Sequence, residues 1–417
     1  MEPPPGQSHG GLRAILADRS VSAVVVTALV MMLGAGIVLP ILPLFARSLG
    51  AGYGGAGILI AGWGFTRLGF DLVAGPIVDR FGPRRSAASG LAVAAAFALL
   101  TGLAPSFPVA AVCWAASGAG SAIVQTALYG QLLAVVPKQR MARTLGVFYG
   151  AFNLGLVGGG VLGGVLGQRF GLASPLFAAA ALQIAAAVVY LRIGPRLSGV
   201  PRPARPGGPE VSPALRGVVR LAGIMRTPGL LPILICQLAS LWLFAALFNT
   251  LVPLFGQDAL GMSTVGIGAV FAVAMAGQLV VLYPAGAAAD RHGRKLVLVP
   301  ALAGLTAMTA AVGWAGTPVV LGALAAVLGL VSGVVGMVPG AMLSDVVGGT
   351  ELGTAAGVYR FFTDLGFTFG PLTAGLVSGA LGFKEAFAVT AVPGVIALLL
   401  VVRMPETLRR AGAVQRA

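Results

Sequence analysis

Four charged residues lie inside long apolar runs of this 417-residue chain: Arg67 and Asp71, then Arg360 and Asp364. Each pair is spaced by four, so on a helix its members share one face. A guanidinium and a carboxylate in apolar surroundings can neutralise each other. When they part, the carboxylate can also take up a proton from solvent, because a carboxylate that loses its partner binds a proton more readily. Inserting one such charge at mid-helix costs roughly 2.5–3.5 kcal/mol, so four together carry a gross penalty of about 10 kcal/mol unless they are paired.

The elements that hold these charges are membrane helices. With 57% hydrophobic residues, 9% charged residues and 63 glycines, the chain cannot present a polar shell to water. Apolar runs of about 20 residues cross a hydrocarbon core. They fall near 21–45, 53–78, 86–103, 107–136, 144–167 and 172–193, then near 230–256, 263–289, 295–315, 318–347, 352–379 and 383–403. The expected fold is all-α, with twelve transmembrane helices in two six-helix bundles, 21–193 and 230–403. A Pro- and Arg-rich linker at 194–229 joins them, and short tails lie at 1–20 and 404–417.

The net charge of +15 comes from basic residues in short loops, without a nucleic-acid motif. With the N-terminus inside, 22 Lys and Arg fall on the inner loops and tails, and only Arg47, Arg169 and Lys384 fall outside. Both termini are therefore expected to be cytoplasmic. Cys113 and Cys236 lie in apolar segments and imply no disulfide framework. His9 and His292 have no partners at metal-ligand spacing, and no P-loop, H-E-x-x-H or nucleophile elbow occurs. Two G-x-G-x-x-G matches, at Gly52–Gly57 and Gly158–Gly163, follow no strand and are coincidental.

The chain repeats itself at an offset of 211. Gly75, Asp79, Arg80, Gly82, Arg84 and Arg85 in the loop after the second run return as Gly286, Asp290, Arg291, Gly293, Arg294 and Lys295 after the eighth. Gly50, Gly57, Gly118, Gly159 and Gly164 likewise return as Gly261, Gly268, Gly329, Gly370 and Gly375. An even number of spans per half relates the two halves by an axis along the membrane normal.

With both loop motifs in place, the chain resembles the major facilitator superfamily of secondary transporters over essentially its whole length. A second motif resembles that of its proton-coupled drug exporters: Gly155, Gly159, Gly160, Gly163 and Gly164 on helix 5, with Gly366, Gly370, Pro371 and Gly375 on helix 11. Gly160 stands where that branch has proline. Trp114 stands where many of its exporters have arginine, four residues before Gly118. The glycine runs let helix backbones approach closely, whatever the solute.

The resemblance implies that helices 2 and 11 face each other across the seam between halves. Asp71 and Arg360 lie about 12 Å from the cytoplasmic ends of their helices, Arg67 and Asp364 about 18 Å, at 1.5 Å per residue. Cross-seam pairs Asp71–Arg360 and Arg67–Asp364 are therefore expected to close the cytoplasmic side. The intra-helix pairs Arg67–Asp71 and Arg360–Asp364 remain compatible. Asp71 and Asp364 are the proton-coupling candidates. The resemblance further implies that Asp79 docks on helix 11 near Gly353 and Thr354, and Asp290 on helix 5 near Thr144, where free helix amides attract an anion.

Gln125 and Tyr129 on helix 4, Asn153 on helix 5, Gln237, Trp242 and Asn249 on helix 7, and Gln278 on helix 8 are candidates for lining a central, mainly apolar cavity. Each could equally make an interhelical hydrogen bond. The expectation is a proton-coupled exporter of a small lipophilic or weakly polar organic compound, embedded in lipid in the inner membrane. It would act as a monomer, with no nucleic-acid partner and no cofactor beyond the proton gradient. An uptake symporter or facilitator, and a solute sensor that keeps the fold without transporting, are the rival readings.

Overall fold

A computed structural model describes residues 18–136, 138–193, 223, 225, 227–347 and 352–408. Most of the expected tails (all but 18–20 and 404–408) and most of the expected 194–229 linker lie outside the described residues. The helices in chain order are α1 (Arg19–Val38), α2 (Tyr53–Phe81), α3 (Pro83–Gly102), α4 (Phe107–Val135), α5 (Lys138–Phe170) and α6 (Ser174–Ile193), followed by α7 (Leu230–Ala246), α8 (Thr264–His292), α9 (Arg294–Ala311), α10 (Pro318–Val346), α11 (Leu352–Ala380) and α12 (Phe383–Arg403). Among the described residues no strand occurs.

Ten of these spans are long and apolar enough to cross a membrane, or eleven with the bent α2 counted as one. The remaining helix is α11, which is 29 residues long and carries Arg360 and Asp364. Its span is legible from its place in the bundle rather than from its hydropathy. The segments of α2 on either side of Leu72 meet at 59°. Pro76 lies one turn further on, where it removes a backbone donor and crowds the preceding turn.

Two expected spans are interrupted. The run at 21–45 breaks after Val38, and a separate seven-residue helix, Leu42–Ser48, follows. Pro40 and Pro43 explain the break: proline cannot donate to the preceding turn, and it disfavours helical backbone at the residue before it. The run at 230–256 passes through a π-helical turn, Leu247–Leu251, into a second short helix, Val252–Asp258.

The contacts reproduce the repeat. In the first half α1 packs on α5 and α6, α2 on α4, and α3 on α4 and α6; in the second, α7 packs on α11 and α12, α8 on α10, and α9 on α10 and α12. Between the halves α2 meets α11 and α5 meets α8. The turn glycines obey the same offset: Gly50 and Gly261, Gly82 and Gly293, and Gly171 and Gly382 all have positive φ. At Gly82 (φ 80°) and Gly293 (φ 108°) this lets the chain cap one helix and start the next within a single residue.

Candidate functional site at the seam between halves

The seam is tight at the end away from the loop motifs. A β-carbon at Gly57 of α2 would sit 2.4 Å from the Pro371 carbonyl oxygen of α11, and one at Gly268 of α8 would sit 2.3 Å from the Gly160 oxygen of α5. These are the same contact made twice. Gly164 likewise abuts Thr264, Gly375 abuts Tyr53, and Gly64 abuts Thr368. The remaining motif glycines serve the bundles internally. Gly155, Gly159 and Gly163 hold α1, with Gly163 placing a would-be β-carbon 2.0 Å from the Ile37 oxygen, and Gly366 and Gly370 hold α7. This explains why α5 tolerates glycine at position 160 where α11 has proline. What the seam requires there is close approach of the backbone.

Towards the motif end the packing opens. Gly69 and Gly75 on α2, Gly146 and Gly150 on α5 and Gly357 on α11 have open space where a β-carbon would stand. Tyr283 on α8 is 87% exposed.

At the boundary between closed and open parts the structure brings the four helix charges together. The Arg360 Nη2 lies 3.2 Å from the Asp71 Oδ1, and the Arg67 Nε lies 3.4 Å from the Asp364 Oδ1, both across the seam. Arg360 also reaches Asp364 on its own helix at 3.9 Å, so one intra-helix pair coexists with the cross-seam pairs. Gln125 binds them from α4: its Oε1 accepts from the Arg67 Nη2, and from the Arg360 Nη2 at 3.1 Å. Asp71 and Asp364 thus share Arg360 as a neighbour. The inner pair is well buried and the outer pair opens towards the motif side, with side-chain exposures of 15% and 8% for Arg67 and Asp364 against 34% and 19% for Arg360 and Asp71.

The matching positions on the other seam are neutral. At the 211 offset Arg67 corresponds to Gln278, Asp71 to Leu282, Arg360 to Tyr149 and Asp364 to Asn153. Gln278 donates to the Ser332 Oγ of α10 at 3.0 Å, and Asn153 donates to the Tyr149 carbonyl oxygen of its own helix at 2.9 Å.

Of the cavity candidates, Gln125 therefore belongs to the charge cluster. Tyr129 lies near Tyr149 of α5. Gln237 accepts from the Tyr359 hydroxyl at 2.6 Å and is buried, so it does not line an open cavity. Asn249 is fully buried in the π-helical turn and, among the described residues, neither amide atom has a partner. It too is a core residue rather than a lining one. Trp242 is half-buried, and its indole N–H has no acceptor among the described residues. The sequence reading missed Tyr149, which stands near Arg360 and was identifiable as its repeat mate, and Tyr359, which holds Gln237.

Among the described residues, the contacts of the loop motifs lie within their own halves. Asp79 is exposed and, among the described residues, has no ion-pair or hydrogen-bond partner. Arg80 lies over the Phe81 ring, Arg84 donates to the Leu191 carbonyl oxygen of α6, and Arg85 is exposed. Asp290 pairs with Arg294 one turn on.

The second motif is instead tied into its own half. Arg294 reaches the Asp345 Oδ2 of α10 at 3.2 Å, and the Glu406 carboxylate accepts from the Arg294 and Lys295 backbone amides, both at 3.0 Å. The Lys295 Nζ donates to the carbonyl oxygens of Val402 and Met404. Arg291 is exposed, and Gly286 contacts Met337. Glu406→Gln should halve the charge-assisted pairing at the start of α9 and lower stability by about 1–2 kcal/mol. Thermal unfolding in detergent measures this, and an unchanged midpoint would show that the clasp is idle.

A family model described as Major Facilitator Superfamily matches residues 24–277 and 258–416. Among curated proteins, the chain is 24% identical over 177 residues to an uncharacterized MFS-type transporter of Methanocaldococcus jannaschii, covering 42% of this chain and 46% of that one. It is 26% identical over 161 residues to Multidrug resistance protein 2 of Bacillus subtilis, covering 39% and 40%. The chain thus spans less than half the length of these curated relatives. Its fold is similar to that of the nucleoside transporter NupG (D323A mutant), with a TM-score of 0.75 at 14% identity over 92% of this chain and 98% of that one.

Proposed function

Because the chain belongs to the Major Facilitator Superfamily, we propose that it is a secondary transporter working by alternating access, coupled to protons at the α2–α11 cluster. The observation that carries this reading is the difference between its two equivalent seams. One holds two guanidiniums and two carboxylates in contact across the halves, and the other holds Gln278, Leu282, Tyr149 and Asn153. Rocking of the halves separates Asp71 from Arg360 and Asp364 from Arg67. A carboxylate left without its cation in an apolar seam takes a proton, so protonation and the position of the halves are linked. Only the charged seam can do this.

The solute is a small lipophilic or weakly polar organic compound, and the direction is export. Supporting this are the aromatic groups beside a cluster of zero net charge and the multidrug-resistance relative. The basic loops place the motif face at the cytoplasm and both termini inside, in the inner membrane of the cell, so the conformation described is open to the cytoplasm. The monomer holds the complete seam. In the open motif end, Asp79 and Asp290 await the starts of α11 and α5, which they reach when that end closes. Uptake is the second reading, favoured by Trp114 in place of the helix-4 arginine.

Inverted vesicles with an imposed pH gradient separate the two directions. Gradient-driven accumulation of a panel of lipophilic compounds is expected, and entry only in right-side-out vesicles would support uptake. Asp71→Arg and Arg360→Asp should each reduce flux more than about tenfold, the equivalent of about 1.4 kcal/mol, and the two together should restore most of it. A double exchange as inactive as the singles would remove the pairing from the mechanism.

A further inference from the structure

We propose that Arg47, Tyr53 and Asp258 form a latch over the solute pathway at the end of the seam opposite the loop motifs. Arg47 ends the short helix after α1, and Asp258 ends the short helix after α7. The Arg47 Nη2 lies 3.4 Å from the Asp258 Oδ2, and the same oxygen accepts from the Tyr53 hydroxyl at 2.7 Å. The Arg47 guanidinium stands 4.5 Å above the Tyr53 ring, and that ring meets Phe383 of α12 edge-on at 5.1 Å. Two halves are thus joined through one carboxylate oxygen.

The position of the pair assigns the role. Arg47 and Asp258 are separated by 211 residues, the repeat offset, so each is the other's mate. Two mates in contact must lie at the pseudo-twofold axis, because the axis exchanges them. In a two-bundle transporter that axis runs between the bundles, where the solute passes. The short helices that carry them are also mates and touch each other, with Leu42, Leu44, Phe45 and Leu254 in one apolar cluster beneath the ion pair.

The charges differ at the two mates. Identical residues there would repel or leave no bond, whereas Arg opposite Asp gives a contact that exists only while the halves are together. The pair is 38% and 27% exposed, so water competes for it and the bond is weak enough to break on each cycle. The Tyr53 hydroxyl and ring hold the carboxylate and the guanidinium in place when it reforms.

The inference rests on the alternating-access reading, but its test needs no solute. Thr368 of α11 is fully buried against Gly64 of α2, between the latch and the charge cluster. In a Cys113→Ser, Cys236→Ala background, Thr368→Cys is labelled with a maleimide in nanodiscs. Arg47→Gln and Asp258→Asn should each raise the labelling rate about fivefold, Tyr53→Phe by less, and the exchange Arg47→Asp with Asp258→Arg should return it towards the parent. Parental labelling in all three single variants would overturn the latch, as would an exchange variant that labels as fast as the singles. Tyr53→Phe, the mildest change, serves where a charge variant does not fold. Absence of flux in vesicles would count against transport without altering this result.

Discussion

Replacing Arg67 with leucine is expected to destabilise the protein by about 3–5 kcal/mol, the cost of leaving a buried carboxylate without its cation. Its partner Asp364 is among the least exposed charged groups described, and the Arg67 Nε and Nη2 reach both Asp364 and Gln125. Removing Asp364 as well, as the Arg67→Leu and Asp364→Leu double variant, should recover most of the loss, because an apolar pair of similar volume carries no desolvation penalty. Unfolding monitored by thermal shift in one detergent decides this. A double variant less stable than Arg67→Leu alone would mean that the two residues are stabilised by separate surroundings. Transport should not recover with stability, since the double variant has no group left at that depth to bind a proton.

The second large effect concerns the backbone contacts. Gly57→Val and Gly268→Val each force a side chain into a space where even a β-carbon stands 2.3–2.4 Å from a carbonyl oxygen of the other half. Overpacking of this kind costs about 1–3 kcal/mol, and the seam can relieve it by parting. Both variants should therefore favour the conformation open at the latch end, raise labelling of Thr368→Cys and cut flux. Their effects should match, because the two contacts are repeat mates. Gly69→Ala on the same helix, with open space around it, is expected to leave labelling unchanged. A large effect at Gly57 with none at Gly268 would show that only the charged seam moves.

Much of this was legible in the sequence, for physical reasons. Charges inside apolar helices are costly enough that their pairing could be anticipated, and the depth match picked out the cross-seam contacts at Asp71–Arg360 and Arg67–Asp364. Repeated glycines marked the backbone approaches, although their direction, towards α1 and α7 or towards the other half, needed coordinates. The helix break after Val38 follows from Pro40, which a count of apolar residues overlooks. Asp79 and Asp290 were read for a conformation with the motif end closed, and a sequence does not say which conformation is occupied. Arg47 looked like a stray outer charge because its partner is not local. Asp258 is its mate at the 211 offset, a link that the repeat contains but that does not by itself show contact.

The central claim is that the charged α2–α11 seam links proton binding to solute movement. Its most direct measurement is gradient-driven accumulation and gradient-free exchange of one solute in the same proteoliposomes, for the parent and for Asp71→Asn. Asp71→Asn is expected to lose accumulation while exchange across the membrane persists. Accumulation by Asp71→Asn at the parental level and with the parental pH dependence would contradict it.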